Sequence, residues 1–308
     1  MPKFLDDKSE HCIPFIVEQI QAHRHGQANP TPFFLGLNGV QGAGKTTLVS
    51  ALCTTLSSPP HSLPTTVLSV DDLYLPHTAL KALSASHPSN PLLRHRGVPP
   101  THDVSLGVSV FSSIRDRKPT AIPAYDKSAY SGQGDRTDPA TWEKINQPGQ
   151  PPVEVVIFEG WCVGFRALKE EELRRKWEEA RQSGEASSQL RVNRYEDVKF
   201  VNEALAGYDA LTDCLDALIH IDAEDLTYVY AWRLDQERAL RASKGSGMTD
   251  EQVKEFVDGY YPCYELYTSA LRRPAAFVSG DEKRRMQKRP QLRLVVGRDR
   301  AVKTVESV

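Results

Sequence analysis

The chain has 308 residues, 40% of them hydrophobic and 25% charged, and a formal net charge of −2. That balance belongs to a globular protein and excludes wholesale disorder. It also excludes the overall positive field that nucleic acid or an anionic membrane would need, so any anion has to be captured at a local site.

In chain order, residues 12–25 place Ile13, Ile16, Val17 and Ile20 on one helical face, and Pro30 and Pro32 close that section. Residues 33–37 form a compact apolar run that ends in a glycine-rich turn, and helical character follows over 46–56. Later apolar runs cover 65–70, 153–158, 215–221 and 292–296. They stop at Asp71-Asp72, Glu159-Gly160, Asp222 and Gly297 respectively. Rich in Val, Ile and Leu with little alternation, such runs suit strands buried on both faces of a parallel sheet. The expected class is α/β, with an open, mostly parallel sheet of five strands flanked by helices.

The intervals between strands are uneven. Residues 71–152, rich in Pro, Gly, Ser and His, are too many for one crossover helix. An acceptor-binding insertion over about 75–150 is expected there. Within it, Asp103 reads as the N-cap of a helix over 104–115. The segment 169–189 is strongly charged and reads as a solvated helix running into a flexible tip, within an insertion over about 167–205. A helical lid is expected over about 225–250, and with no internal repeat the chain reads as one elaborated domain over 1–308.

The N-terminal residues lack the apolar core of a signal peptide, and no apolar run approaches the roughly 20 residues of a membrane span. Five scattered cysteines (Cys12, Cys53, Cys162, Cys214 and Cys263) form no C-x-x-C pair. Free thiols in a reducing compartment fit this pattern better than disulfides or structural zinc. The expectation is a soluble cytoplasmic protein, with nuclear presence left open.

Gly39-Val40-Gln41-Gly42-Ala43-Gly44-Lys45-Thr46 fits G-x-x-x-x-G-K-[ST] at every fixed position, between an apolar run and a helix. Glycines let backbone N–H groups curl around phosphates. Lys45 neutralises the oxygens that gain charge, and Thr46, followed by Thr47, opens a helix whose positive end faces the anion. Nucleotide binding on a P-loop NTPase fold follows, though GTPases, motor ATPases and small-molecule kinases all share this loop.

In an open α/β sheet the ligand sits beyond the carboxyl ends of the strands, where Asp71, Asp72 and Glu159 fall. Phosphoryl transfer needs Mg²⁺ near the phosphates and a base to orient the attacking hydroxyl. Thr46 and Glu159 suit the metal, and Asp71 suits the base, with Asp72 as its fallback. In the lid, Arg233, Arg238 and Arg241 are candidate phosphate cations. Arg233 and Arg241 stand roughly 80° apart on a helix and so can face one ligand. Lys244-Gly245-Ser246-Gly247 is a candidate hinge.

Longer strings add a resemblance. Ser69-Val70-Asp71-Asp72-Leu73-Tyr74, Arg96-Gly97 with Thr101-His102-Asp103, Tyr125 to Tyr130 with Gly134-Asp135-Arg136, Phe158-Glu159-Gly160-Trp161, Trp232-Arg233-Leu234 and Tyr261-Pro262 with Tyr264 carry it. With the phosphate loop, they resemble the glycerate kinase family of plants and fungi, relatives of uridine kinase, phosphoribulokinase and bacterial pantothenate kinase. One departure is Ala124, where some members carry a basic residue.

The resemblance implies an enzyme that moves the γ-phosphoryl of ATP, with Mg²⁺, to the 3-hydroxyl of D-glycerate. It points to Asp71 as the base, and to Lys45 and Arg233 as the groups that stabilise charge on the phosphoryl oxygens. A glycerate carboxylate calls for a cation, for which Lys127, Arg136 and Arg96 are available, while Tyr74 and Tyr125 would shape the pocket. His102 is a weaker candidate. The partners implied are small molecules, with no nucleic acid or membrane and the oligomeric state open. A same-fold kinase of a nucleoside or pantothenate-like acceptor remains an alternative, as does a nucleotide-binding regulator with little turnover.

Overall fold

The computed structural model describes residues 6–244, 247–273 and 289–308. Helix α1 (Ser9–Arg24) leads into strand β1 (Phe33–Gly39), whose seven residues are all buried, and then into α2 (Lys45–Ser57). Leu48, Leu52 and Leu56 recur at helical spacing, which gives α2 one apolar face to lay on the sheet. Strand β2 (Thr65–Ser69) follows, and Val70–Leu73 then form a 3₁₀ turn in which Ser69 Oγ accepts from Asp71 N at 3.3 Å. Asp71 therefore stands in the first turn beyond the strand, fixed by a side-chain cap.

The long interval holds α3 (His77–Ser86), α4 (Val104–Arg115) and four short strands, β3 (Thr120–Ile122), β4 (Tyr125–Asp126), β5 (Asp135–Arg136) and β6 (Glu143–Ile145). Asp103 caps α4 as expected, accepting from Leu106 N at 3.0 Å. The short strands make two antiparallel ribbons, β3 with β6 and β4 with β5.

Strand β7 (Val155–Gly160) comes two residues later than its apolar run suggests. Val153 N is taken by Asn146 Oδ1 and Glu154 N by Pro64 O, so pairing starts at Val155. Glu159 is thus inside the strand, in register with Leu37 of β1 and Ser69 of β2.

Helices α5 (Glu170–Ser183), α6 (Tyr195–Leu205) and the short α7 (Asp209–Thr212) precede β8 (Ala217–Ala223). Only Leu173 of α5 is buried, which matches the solvated helix expected there. Helices α8 (Tyr228–Lys244) and α9 (Asp250–Tyr267) follow, then β9 (Gln291–Val296) and β10 (Val302–Ser307).

The main sheet runs β10-β9-β8-β1-β7-β2, parallel throughout except for the β9–β10 pair. The five expected strands are present, and β10 is a sixth. It escapes the apolar-run criterion because it is an edge strand, largely exposed and studded with Lys303, Thr304 and Glu306. Helices flank the sheet, and no described helix is long and apolar enough to cross a membrane.

Candidate active site

The phosphate loop turns where Gly42 and Gly44 adopt left-handed backbone, at φ 81° and 96°. Gly42 has a second constraint, because a Cβ there would stand 2.5 Å from Trp232 Cβ on α8. Val40 and Ala43 are buried, so this loop meets a ligand with its backbone, while Gln41, Gly42, Gly44, Lys45, Thr46 and Thr47 line the cleft above it. Lys45 Nζ folds back on its own loop, donating to Gly39 O at 2.8 Å and Val40 O at 3.3 Å. Burial pulls its ammonium pKa down, against the opposing pull of Glu159 and Asp71.

The cleft holds about 1970 Å³ and is bounded by this loop, the ends of β2 and β7, helices α8 and α9 and the insertion. A single-ligand pocket is typically ~300–1,000 Å³, so there is room for a nucleotide and a small acceptor together.

At its inner wall the Asp71 carboxylate takes the Lys127 ammonium at 2.5 Å. Burial works against charge on Asp71. The Lys127 charge and hydrogen bond outweigh burial and hold the carboxyl below the usual carboxylate range. Asp72, the fallback base, points elsewhere: it accepts from Tyr125 N at 3.2 Å and is absent from the cleft lining. Burial raises its pKa to about 6. Glu159 lines the same cleft as Lys45 and Thr46.

The insertion supplies an aromatic wall. Tyr74 is buried against the His102 ring at 4.3 Å, meets Tyr125 edge-on at 5.3 Å and shares a hydroxyl–hydroxyl hydrogen bond of 3.1 Å with Tyr260. The Arg96 guanidinium lies over Tyr74 and Tyr125, 5.9 and 5.8 Å from their ring centres. It donates to Gly132 O at 2.6 Å and Gln133 O at 2.5 Å, which ties down the loop that follows Lys127.

One acceptor-site expectation is corrected here, that of Arg136, and the weaker candidate His102 also stays outside the cleft. Arg136 does not reach the cleft: its guanidinium donates to Tyr74 O at 3.0 Å and Asp103 Oδ2 at 3.1 Å, where it clamps the β5 ribbon to the start of α4. His102 lies behind Tyr74, bonded through Nδ1 to the Tyr208 hydroxyl at 2.7 Å, and burial lowers its pKa to about 4.

The arginines of α8 divide. Arg233 lines the cleft and pairs with Glu237 at 2.9 Å, whose other oxygen accepts from Met248 N at 2.8 Å. Arg238 and Arg241 instead hold Asp250 at 2.7 and 2.5 Å, at the start of α9, so Arg241 does not join Arg233 on one ligand. Of the expected hinge, Gly245 and Ser246 lie outside the described residues, and so does the Lys244 side chain.

Sequence reasoning missed Tyr260, Phe256 and Trp161 as cleft residues, and Asn38 and Arg300 as the braces behind it. Asn38 Nδ2 donates to Trp161 O and Val163 O at 3.1 and 2.8 Å, which fixes the turn after Glu159. Arg300, in the β9–β10 turn, donates to Gly42 O at 2.8 Å and lies against Trp232, joining phosphate loop to α8. The Trp161 string carried the resemblance, but nothing in the sequence showed that its side chain lines the cleft. For Arg300 no sequence signal existed, since Gly42 is 258 residues away and Trp232 is 68.

The donor set fits a magnesium ion held chiefly by phosphates. Among the described residues no group of three or more His, Cys, Asp or Glu forms a protein-only metal cage. Mg²⁺ characteristically takes one or two protein oxygens and completes its shell with phosphate and water. Thr46 and Glu159, both on the cleft lining, are oxygen donors of the kind such a pair needs.

No family model matches the chain. The chain is 39% identical over 267 residues to "uncharacterized kinase mug58" of Schizosaccharomyces pombe, covering 84% of this chain and 90% of that protein. It is 36% identical over 245 residues to the chloroplastic D-glycerate 3-kinase of Arabidopsis thaliana, covering 78% of this chain and 48% of that protein. The structure of D-glycerate 3-kinase from Cryptococcus neoformans superposes with a TM-score of 0.85 at 32% identity, over 97% of this chain and 99% of that one. With these likenesses running the length of the fold and a complete phosphate loop within it, the chain belongs to the glycerate-kinase-like family of P-loop kinases of fungi and plants, ATP-dependent enzymes that act on small molecules.

Proposed function

We propose that this kinase transfers the γ-phosphoryl of ATP to the 3-hydroxyl of D-glycerate, giving 3-phosphoglycerate and ADP. The observation that carries this reading is the Asp71–Lys127 pair: a carboxylate and an ammonium side by side in the cleft that the phosphate loop opens into. A hydroxy acid needs both, the one for its hydroxyl proton and the other for its carboxylate.

In this reading the loop from Gly39 to Thr47 holds the triphosphate through backbone N–H groups, and Lys45 leaves Gly39 O and Val40 O for the phosphate oxygens. Thr46 and Glu159 would hold a Mg²⁺ ion, which when bound would supply positive charge to neutralise the phosphates. Asp71 accepts the proton of the attacking hydroxyl as its oxygen bonds to the γ-phosphorus and the bond to the β-bridging oxygen breaks. Arg233 turns from Glu237 toward the transferred group, where a planar guanidinium donates paired hydrogen bonds. Tyr74, Arg96 and Tyr125 wall the acceptor end.

The test is ADP release by purified protein with ATP, Mg²⁺ and one acceptor at a time. D-glycerate should raise release far above the acceptor-free rate, while uridine and pantothenate should not. A nucleoside with the higher kcat/KM would overturn the acceptor and leave the kinase.

A further inference from the structure

The ion pair that carries the proposed function also poses a problem for it. A carboxylate held 2.5 Å from an ammonium cannot readily take a proton from a hydroxyl, because the cation already occupies a lone pair and repels the arriving proton. We propose that Lys127 gates the base: without acceptor it holds the Asp71 carboxylate, and an acceptor carboxylate draws the ammonium away and frees Asp71. The inference rests on the hydroxy-acid reading above for the identity of the acceptor.

The surroundings favour movement of the lysine and not of the aspartate. The Asp71 side chain is 26% exposed and that of Lys127 55%, so the ammonium already looks into the cleft from which an acceptor arrives. Asp71 is fixed by the Ser69 cap at its backbone. The loop after Lys127 is fixed too. Arg96 grips its carbonyls, the Tyr130 ring stacks on His77 at 3.8 Å, and His77 Nε2 meets Gln133 Oε1 at 2.9 Å. Between two anchored backbones the mobile part is the four-carbon lysine stem, whose ammonium is a point charge with three donors.

Release changes the chemistry of Asp71 in the useful direction. Burial is the largest influence on this carboxyl and opposes its charge; the Lys127 partner offsets that. Once Lys127 turns to another carboxylate, burial is less opposed and Asp71 becomes a stronger base. A neutral polyol or a nucleoside offers nothing to draw the ammonium away. The gate thus selects small hydroxy acids and suppresses attack by water when no acceptor is bound, a role distinct from simple substrate binding.

D-lactate, which is D-glycerate without its 3-hydroxyl, separates these roles. It supplies the carboxylate but not the nucleophile, so freed Asp71 is left facing water. Water attacks the γ-phosphorus, the bond to the β-bridging oxygen breaks, Asp71 takes the proton, and ADP and phosphate leave. In wild type, D-lactate should therefore raise ATP hydrolysis by about tenfold or more, up to the roughly 10²–10⁴-fold of a full general-base contribution. Lys127→Met should hydrolyse ATP at the raised rate without D-lactate and gain nothing from it. Lys127→Arg, which keeps a cation on Asp71, should restore the low rate, and Lys127→Met with Asp71→Asn should abolish the excess.

If Lys127→Met loses D-glycerate turnover and its acceptor-free hydrolysis is no higher than wild type, Lys127 only binds substrate and the gate is overturned. If hydrolysis is raised in that variant while wild type gives no turnover with D-glycerate, the gate stands and the proposed acceptor falls. The acceptor-free arm thus reads the gate whichever acceptor is correct.

Discussion

Gly42 of the phosphate loop lies directly against the backbone of Trp232 on α8, where an added Cβ would meet Trp232 Cβ at 2.5 Å and its carbonyl carbon at 3.0 Å. The loop that holds phosphate and the helix that carries Arg233 are therefore one packed unit. Arg300 reinforces it by donating to Gly42 O at 2.8 Å and, at 3.4 Å, to Trp232 O. Gly42→Ala adds both a clash and an unfavourable left-handed residue at φ 81°. Overpacking of this kind costs about 1–3 kcal/mol. The expected result is a lowered Tm together with a raised KM for ATP, measured by thermal melting and by initial rates. A wild-type KM in a destabilised variant would mean that the contact serves folding alone.

Lys45→Ala removes the loop cation while leaving β1 and α2 packed as before. Turnover should fall severely and Tm should stay near wild type, since the hydrogen bonds of the Lys45 ammonium go to the carbonyls of its own loop, Gly39 and Val40. Wild-type turnover in this variant would remove the loop from the chemistry.

Arg136→Met tests the reassignment of that residue from acceptor binding to structure. Its bonds to Tyr74 O and Asp103 Oδ2 are charge-assisted and half-sheltered, and bonds to charged groups are worth roughly 1.5–3 kcal/mol. Melting should shift downward. The KM for D-glycerate should change by less than about threefold, because no interaction with the acceptor is lost. A large rise in KM with unchanged melting would return Arg136 to the acceptor site.

The chain exposes some of this in its sequence and conceals the rest, for physical reasons. A phosphate loop is contiguous because one turn must supply all its N–H groups, so Gly39 to Thr46 is readable without a structure. Buried parallel strands are readable because both faces are apolar, whereas β10 is polar on its open side and is not. Asp71 was legible from its place after a strand. Its bond to Lys127 was not, because the two are 56 residues apart and meet only through the fold of a ribbon with two residues per strand. The same holds for Arg136, whose sequence neighbours suggested the acceptor site but whose side chain turns the other way along that ribbon, toward α4.

Asp71 and Asp72 are adjacent in sequence but differ in environment, and the pair separates base from brace. Asp71→Asn keeps size and removes the proton acceptor, so kcat should fall by about 10²–10⁴-fold, the range of a general base. ATP binding should barely change. Asp72→Asn should keep near-normal kcat, because Asp72 lies outside the cleft lining and an amide oxygen can still accept from Tyr125 N. Its effect should appear in stability against pH. Burial raises the Asp72 pKa from 3.8 to about 6, so the folded state holds that proton more tightly than the unfolded chain does. Wild type therefore loses stability from this group as pH rises through that window, and the deficit is complete above it. Asp72→Asn has no such group to ionise, so relative to wild type it should gain up to about 2–3 kcal/mol between pH 4 and pH 7. Urea titrations of both proteins at the two pH values measure that difference. A loss of kcat in Asp72→Asn with near-normal kcat in Asp71→Asn would move the base one residue along, and normal turnover in both variants would refute the mechanism at its centre.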